Sequence, residues 1–564
     1  MNHLPPGFVD GRRVRVGSQF EADVCIVGAG PVGVSLAEDL VGRGLSVCLV
    51  ESGGIENDEA VNALNHGELA GDGMVDPYVI RRRQFGGLSN VWGILFDRPR
   101  AGVRYVPFDA IDFEAREEVP HSGWPITFPE MTPWYERAHA YCELGAYDYG
   151  DPAATAIAKA ASPAGGFTST DGDLKTSLFQ FGPSNRYFEK SKAALSKSGR
   201  AQVLLHTSAL ELEVTEDERH VVGLTAGSLD GSRLRVRARC YALSGGTIEN
   251  ARLLLLSTSR NPAGVGNRHD VVGRYLMDHP QDKSSYLVPA SKGVFDRLTM
   301  HDMRAVDGVG YMAKFGFTEK AIQQHNLLNM TFLMLPIEST LMTPAVNSFR
   351  SLVRGESRFP PPPTLGGKVV AMATDPYAIV KHLYRRYTAH DAISTLECGG
   401  WSQVPNKAQM FGDRIDVINQ IEQYPHRDNR ISLGESVDGF GQRRVRYEFS
   451  WREDDQARFV HSRHHFAKLA HETGLGTYKF DPAAVPEIMS SHHPMGSTRM
   501  HEDPTQGVVD ANCKVHGVDN LFVAGASVFP TGGYANPTLS AVALGLRLAA
   551  FLAVVLPLLD LAAP

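Results

Sequence analysis

The stretch DVCIVGAGPVGVSLAEDLVGRGLSVCLVES (23–52) decides the fold of this chain. It reads as an apolar strand, a glycine turn, a helix and a second apolar strand, which together make one βαβ unit. Gly28, Gly30 and Gly33 form the pattern G-x-G-x-x-G at the start of the helix. The first glycine permits a tight turn, the second lets the backbone approach a pyrophosphate, and the third packs helix on strand. Glu51 at the end of the second strand can accept hydrogen bonds from a ribose diol, so the stretch predicts a dinucleotide-binding domain.

Two later segments repeat the order of strand, glycine turn and helix. They are ARCYALSGGTIENARLLLLS (238–257) and NLFVAGASVFPTGGYANPTLSAVALGLRLAAFL (520–552). A further glycine turn, QFGGLSNVWG, lies at 84–93. The fingerprint alone fits both NAD and FAD, but an extended FAD needs such additional walls around the nucleotide fold. The sequence therefore predicts FAD.

The stretches between these segments have a different character. QIEQYPHRDNRISLGESV (420–437) and RRVRYEFSW (443–451) alternate as antiparallel strands do. We therefore expect an α/β protein, α+β overall, with a second domain inserted into a Rossmann-like domain. The FAD-binding domain is predicted at 15–110, 200–285 and 488–564. The substrate-binding domain, built on an antiparallel sheet, is predicted at 111–199 and 286–487.

Charge and cysteine content argue against several functional classes. The net charge is -7 over 564 residues and no dense Lys/Arg stripe is present, so nucleic acid is not an expected partner. The six cysteines form no C-x-x-C pair, so no metal site is expected, and buried, reduced thiols suit a cytoplasmic protein. No apolar run follows Arg12 and Arg13, so no secretion signal is expected.

The C-terminal end is apolar from Leu548 to Leu561 apart from Pro557 and Asp560. A membrane span needs roughly 20 largely uninterrupted apolar residues. We therefore expect a buried terminal helix, with a weak contact to a membrane or a partner as the alternative.

Several motifs together resemble the glucose-methanol-choline (GMC) oxidoreductase family. They are the fingerprint with ESGG (51–54), QFGGLSNVWG, ALSGGTIENARLLLLS, VGRYLMDHP (272–280), HHPMGSTRM (492–500), GVVDANCKVHGVDNLFVAGASVFP (507–530) and GGYANPTLSAVALGLRL (532–548). The nearest members in character are bacterial sugar and polyol dehydrogenases, glycoside 3-oxidases and pyranose 2-oxidase, which share the Asn-Pro-Thr ending. The resemblance implies a flavin domain over a substrate domain whose sheet covers the flavin ring.

The resemblance also implies the residues of the site. The family spacing His-x-x-Gly-Ser/Thr selects His493 as the base for the hydroxyl proton, and Asn536 as its partner. His492, His501 and His516 are expected to be structural. The predicted FAD-binding residues are Gly28, Gly30, Gly33, Glu51, Gly86, Gly87, Ser89, Asn90, Gly93, Gly525, Ala526, Asn536 and Thr538.

One departure from the family concerns the attachment of the flavin. A related motif places a flavin-linked His two residues after its Ser, whereas here Val91 follows Ser89 and Asn90. Valine cannot form that bond, so the FAD is expected to be non-covalent.

The expected reaction is oxidation of an alcohol, with a sugar, glycoside or polyol as the first expectation. An aromatic or lignin-type alcohol, an aminoglycoside, a lyase of the same fold that uses FAD without net redox change, and a non-catalytic protein with a degenerate flavin site remain alternatives. Oxygen, a quinone or a redox protein could accept the electrons. The sequence leaves the oligomeric state open.

Overall fold

A computed structural model describes residues 4–72, 76, 78–92, 94–95, 101–149, 167, 171–306, 308–355, 357, 359–388, 401–403, 407–488 and 491–561. The strands in these ranges are β1 (Phe8–Asp10), β2 (Ser18–Val27), β3 (Val47–Val50), β4 (Glu68–Gly71), β5 (Ile94–Leu95), β6 (Ala101–Tyr105), β7 (Leu174–Pro183), β8 (Ala201–Leu205), β9 (Ser208–Val214), β10 (Val221–Gly227), β11 (Arg233–Leu243), β12 (Gln281–Asp282), β13 (Tyr286–Pro289), β14 (Arg304–Val306), β15 (Val309–Phe317), β16 (Met330–Pro336), β17 (Ile415–Ile421), β18 (Arg430–Val437), β19 (Arg443–Phe449), β20 (Gly476–Lys479) and β21 (Leu521–Val523).

The α-helices in the same ranges are α1 (Pro31–Gly42), α2 (Glu59–Asn62), α3 (Phe128–Cys142), α4 (Ser191–Ser198), α5 (Gly246–Leu256), α6 (Val294–Arg297), α7 (Glu319–His325), α8 (Pro344–Arg354), α9 (Leu365–Thr374), α10 (Pro376–Thr388), α11 (Lys407–Met410), α12 (Glu453–Glu472) and α13 (Thr538–Leu561).

The first sheet is the nucleotide-binding sheet. Its strand order is β1-β8-β3-β2-β11-β10-β9, and β21 pairs with β11. The pairs between β1, β8, β3, β2, β11 and β21 are parallel. All three βα segments predicted from the sequence therefore enter one sheet. The carboxyl ends of their strands meet at one edge, where ligands of open parallel sheets bind.

The second sheet has ten strands in the order β20-β13-β17-β16-β15-β7-β6-β5, with β12 paired to β17 and β14 to β15. The alternation of its side chains separates two cores. In β17, Ile415 and Val417 enter the outer cluster, together with Phe332 of β16, whereas Leu333 of β16 enters the main core shared with the nucleotide-binding sheet. One face of this sheet is therefore directed at the nucleotide-binding domain, as expected for the substrate domain.

The sheet memberships depart from the domain boundaries predicted from the sequence. β5, β6 and β12 lie inside the ranges assigned to FAD binding but pair in the second sheet. Conversely, β18 and β19 lie in the range assigned to the substrate domain but form a third sheet with β4 and pack on α5. The sheet to which these strands belong is set by pairs between distant segments, β6 with β7, β12 with β17 and β19 with β4, which the local sequence pattern does not reveal.

Helix α13 packs against α1 and α3. Within the described residues it is the one helix that is long and apolar enough to cross a membrane, over Thr538–Pro557. However, 67% of its most apolar window is buried within the fold. Its apolar composition is thus accounted for by packing in the nucleotide-binding domain.

Candidate active site

One cavity opens at the carboxyl ends of the parallel strands, where three helices begin. Its lining includes the starts of α1, α5 and α13. Gly30 and Gly245, the N-cap residues of α1 and α5, make no side-chain cap. The first backbone N–H groups of these helices are therefore available to a ligand, and the helix dipoles favour negative charge there.

The fingerprint glycines have the roles that the sequence pattern predicts. Gly28 has φ +99°, and a Cβ on it would lie 2.7 Å from the Cα of Gly245. A Cβ on Gly33 would lie 1.9 Å from the carbonyl oxygen of Gly28, so only glycine permits this contact of helix and strand. A Cβ on Gly30 would meet nothing within 4 Å, because that position faces the open cavity. Gly28 and Gly30 thus shape the cavity, and Gly33 supports it from behind.

Glu51 lines the same cavity and holds the turn around it. Its Oε2 accepts a hydrogen bond from the Ala29 backbone N–H at 2.9 Å, and its Oε1 accepts one from Gly53 at 2.8 Å. Burial raises the pKa of this carboxyl, whereas the two backbone donors and Arg83 oppose the rise. Each oxygen keeps lone-pair capacity for a further donor, as a ribose diol requires.

The loop 84–92 closes one side of the cavity with Gly87, and Leu88 and Trp92 line it as well. The other predicted residues of this loop stabilise the loop itself. Gly86 donates its N–H to the Ala29 carbonyl at 2.8 Å, Ser89 Oγ donates to the Gly86 carbonyl at 2.6 Å, and Asn90 Nδ2 donates to two loop carbonyls. In the structure, Ser89 and Asn90 therefore support the loop, whereas the sequence analysis assigned them to FAD. Gly93 lies outside the described residues.

The C-terminal segment supplies the opposite wall. Gly525, Ala526 and Thr538 line the cavity, and so do His492 and His493. Asn536 is buried beside them, and its Nδ2 lies 3.1 Å from His493 Nε2. The structure therefore brings together the two residues that the sequence analysis paired.

A third residue, His279, completes a hydrogen-bonded chain that the sequence analysis did not anticipate. His279 Nε2 lies 3.1 Å from the Gly532 carbonyl oxygen, and its Nδ1 lies 3.0 Å from His493 Nδ1. A carbonyl only accepts, so His279 Nε2 carries the proton. In a neutral His279, Nδ1 is then an acceptor, and His493 Nδ1 must donate to it. Nε2 of a neutral His493 is left with its lone pair, towards which Asn536 Nδ2 points.

The electrostatics of the pocket support the neutral forms of both rings. Burial lowers the pKa of His279 to about 4. Burial also lowers the pKa of His493 well below 6.5, and the neighbouring charges of His279, Arg104 and His492 add to this effect. Both imidazoles are thus unprotonated at neutral pH, which is the form a base requires.

Two further side chains position the hydrogen-bonded residues His279 and His493. Asp278 Oδ1 accepts the His493 backbone N–H at 2.7 Å, and burial raises the pKa of Asp278 to about 7. Gln420 Nε2 donates to the Tyr534 carbonyl at 2.6 Å and lies 3.3 Å from His279 Nδ1. The motif VGRYLMDHP contains Asp278 and His279, and was the only sequence signal for them. Gln420 comes from the second sheet, and nothing local marks it.

A separate group of ligand-type side chains lies in the second domain. Asp173, His325 and His465 bring one ligand atom each within 4.8 Å of one another. Asp173 Oδ2 lies 3.1 Å from His465 Nε2 and 3.3 Å from His325 Nε2, so one carboxylate oxygen is shared by two imidazoles. The sequence-based expectation that no metal is bound stays a prediction.

Comparison with known proteins accounts for this arrangement. The family model described as GMC oxidoreductase matches residues 425–545, which contain both His493 and Asn536, and the model described as FAD binding domain matches residues 21–59. The chain thus carries a C-terminal domain of the GMC oxidoreductase type and an N-terminal FAD-binding segment. FAD is its cofactor, and it is an FAD-dependent oxidoreductase.

The curated relatives of this oxidoreductase match almost its whole length. The 6'''-hydroxyparomomycin C oxidase of Streptomyces lividus is 25% identical over 93% of this chain and 90% of its own. The fructose dehydrogenase large subunit of Gluconobacter japonicus is 22% identical over 94% of this chain and 97% of its own. Pyridoxine 4-oxidase from Mesorbium loti has the same fold, with a TM-score of 0.52 and 17% identity over 94% of this chain and 98% of that one.

The residues present fit FAD. The uncapped start of α1 and the open position at Gly30 suit a pyrophosphate, and Glu51 suits a ribose. The cavity then runs from these residues to His493, so a single extended group spans nucleotide site and catalytic site.

We predict that Glu51→Ala weakens FAD binding by about 1–3 kcal/mol, because charge-assisted hydrogen bonds to the ribose are lost. Glu51→Gln should also weaken FAD binding, since its amide nitrogen would face the backbone N–H of either Ala29 or Gly53, which the carboxylate accepts. FAD dissociation constants from fluorescence titration of the apoproteins measure this effect. A folded Glu51→Ala protein whose turnover is not restored by excess FAD would contradict the assigned role.

We also predict that the FAD is non-covalent. Val91 stands where a related motif carries the linking histidine, and a valine side chain has no atom that can bond to the flavin. After acid precipitation the yellow colour should remain in the supernatant. Colour in the protein pellet would show that the prediction is wrong.

Proposed function

We propose that this oxidoreductase oxidises a secondary or primary alcohol of a sugar, glycoside or polyol to the carbonyl, with His493 as the base and Asn536 as the group that holds the alcohol oxygen. The observation that carries the proposal is the 3.1 Å approach of Asn536 Nδ2 to His493 Nε2 at the catalytic end of the FAD cavity. FAD, when bound, accepts the hydride from the carbon of the alcohol.

The tautomer of His493 gives the proton transfer its direction. Because Nδ1 donates to His279, the lone pair of Nε2 can accept the hydroxyl proton of the substrate. Asp278 Oδ1 accepts the His493 backbone N–H and so holds the residue in place for this transfer.

The side chain of Asn536 is directed at the catalytic site. Its position just before Pro537 and α13 favours an Asn N-cap, but its Oδ1 accepts no helix N–H among the described residues, so this cap is not formed. Its Nδ2 carries two hydrogens, so it can donate to the alcohol oxygen, and its buried Oδ1 has no hydrogen-bond partner among the described residues. The side chain is thus rigidly placed yet has capacity for a substrate hydroxyl.

The substrate class is inferred from the relatives. Their names include a fructose dehydrogenase, a C-glycoside 3-oxidase, a 2-methyl-1,2-propanediol dehydrogenase and a paromamine 6'-oxidase. All these names denote oxidation of a polyhydroxylated or diol substrate. A sugar, glycoside or polyol is therefore the substrate class that we propose.

We further propose a cytoplasmic enzyme that passes its electrons to oxygen, a quinone or a redox protein. The five described cysteines are free and buried, as is usual for proteins of a reducing compartment. Reoxidation of the reduced enzyme by air, by a quinone dye or by neither separates the three acceptors.

The central prediction is that His493→Ala slows reduction of the bound flavin by about 10²–10⁴-fold, the usual contribution of a general base. FAD binding should remain intact, because the nucleotide contacts lie at the other end of the cavity. Anaerobic stopped-flow absorbance with a panel of sugars, glycosides and polyols measures the reduction rate.

His492→Ala is the matched comparison, since His492 also lines the cavity but takes no part in the hydrogen-bonded chain. Its loss should be much smaller. Asn536→Ala should lose both rate and affinity, because it removes the group that positions the alcohol oxygen beside His493 Nε2. A His493→Ala protein that reduces its flavin at the wild-type rate would assign the base elsewhere.

A further inference from the structure

The inner face of the second sheet carries two basic side chains next to the catalytic chain. Inner face here means the side directed at the nucleotide-binding domain. Gln420 identifies it, because its side chain contacts Tyr534 and His279. Gln420 of β17 is opposite Thr331 of β16, and Thr331 is opposite Gly316 of β15. Lys314 lies two residues before Gly316 on β15. Side chains two residues apart share a face, so Lys314 is directed inwards too.

Arg104 lies on the same face, two strands away from Lys314. Its partner in register is Phe181 of β7, and Lys314 is opposite Ser177 of the same strand. Phe179 stands between them: Lys314 Nζ lies 4.2 Å, and Arg104 Cζ 4.5 Å, from the centre of its ring. The two basic groups therefore flank one aromatic ring.

Neither basic group has an anionic partner within the described residues. Lys314 is fully buried and its Nζ makes no hydrogen bond, and Nε and Nη1 of Arg104 are likewise buried without acceptors. The contact of Lys314 Nζ with the Tyr534 ring, 3.5 Å from its centre, is a cation–π contact and supplies no acceptor. Burial lowers the pKa of Lys314 well below 10.5 and that of Arg104 to about 10. Holding the charged form of either group in this position therefore costs folding free energy.

The acidic groups nearby are already committed. Asp109 pairs with Lys175 at 2.9 Å, and Glu422 pairs with Arg116. Asp112 has its pKa raised to about 8 by burial and by the charges of Asp109 and Glu422, so it is mostly protonated at neutral pH. The charge of Asp109 acts on Lys314 from a distance, but neither Lys314 nor Arg104 has a hydrogen-bonded acidic partner of its own within the described residues.

The positive pair is within electrostatic reach of the catalytic chain. The charge of Arg104 contributes to the lowered pKa of His493, and that of Lys314 contributes to the lowered pKa of His279, in each case after the larger effect of burial. A substrate whose alcohol contacts His493 would therefore place another part of itself near these two groups.

We propose that Lys314 and Arg104 form a subsite for a carboxylate of the substrate, so that the alcohol oxidised by this enzyme belongs to a sugar acid such as a uronate or aldonate. The inference rests on the proposed function, whose substrate class it narrows. A carboxylate would give both basic groups the hydrogen-bond acceptors they lack and would place negative charge beside them. The same charges disfavour a polycationic aminoglycoside, which would bring like charge next to them.

Two matched pairs of alcohols test the subsite: D-glucuronate with D-glucose, and D-gluconate with D-sorbitol. Anaerobic flavin reduction in the holoenzyme gives the apparent affinity for each. A second, turnover-independent measurement is calorimetric binding of tetrahydropyran-2-carboxylate, a hydroxyl-free carboxylate, against neutral 2-methyltetrahydropyran. The wild type should prefer the carboxylate in each comparison by at least about tenfold, as expected for a buried charge pair.

Lys314→Met and Arg104→Met should each reduce that preference by about tenfold or more, while Lys314→Arg keeps the charge and should retain most of it. Lys468→Met, the same change at an exposed lysine of the second domain, is the control and should leave the preference unchanged. Retained FAD and an unchanged melting temperature show that a variant is folded. If Lys314→Met fails this check, Lys314→Arg and Arg104→Met decide.

The outcomes separate the subsite from the proposed function. If neutral sugars reduce the flavin and carboxylates neither react nor bind better, the alcohol oxidation stands and the subsite is wrong. If no alcohol reduces the flavin but carboxylate binding is tight and is lost in the Lys314 and Arg104 variants, the subsite stands and the proposed function is wrong. A preference for carboxylates that survives both Met substitutions also overturns the subsite.

Discussion

The hydrogen-bonded chain from the Gly532 carbonyl through His279 to His493 is the interaction on which the chemistry of this protein depends. A carbonyl can only accept, so it fixes the proton on the far nitrogen of His279, and each following group is set in turn. The chain ends on a lone pair of His493 Nε2 beside Asn536. Without His279, the His493 ring would have no partner that selects this tautomer over the other.

The fold forms this series of hydrogen bonds by bringing distant segments of the sequence together. His279 follows the second βα segment, His493 precedes the last strand of the nucleotide-binding sheet, and Asn536 lies two residues before the last helix. Gln420 reaches the same place from the second sheet. Burial between the two sheets then lowers the pKa of both imidazoles, because a charged ring would lose its hydration without gaining a full counter-charge.

Much of this arrangement can be predicted from the sequence. The residues that could not be predicted share identifiable physical reasons. The glycine fingerprint, Glu51 and the two later βα segments predict the nucleotide domain because turn, strand and helix signals are local. His493 and Asn536 follow from a family motif. His279 and Gln420 do not, because their roles arise from contacts across 214 and 141 residues. Ser89 and Asn90 bond within their loop, a contact that the sequence does not reveal, and their predicted binding of FAD stays a prediction.

The most direct test of the account is the position of the protons on the two imidazoles. Neutron diffraction from a deuterium-exchanged crystal of the holoenzyme at neutral pH locates them. The account predicts deuterium on Nε2 of His279 and on Nδ1 of His493, and none on Nε2 of His493. Deuterium on Nε2 of His493, or on both nitrogens of either ring, would contradict it.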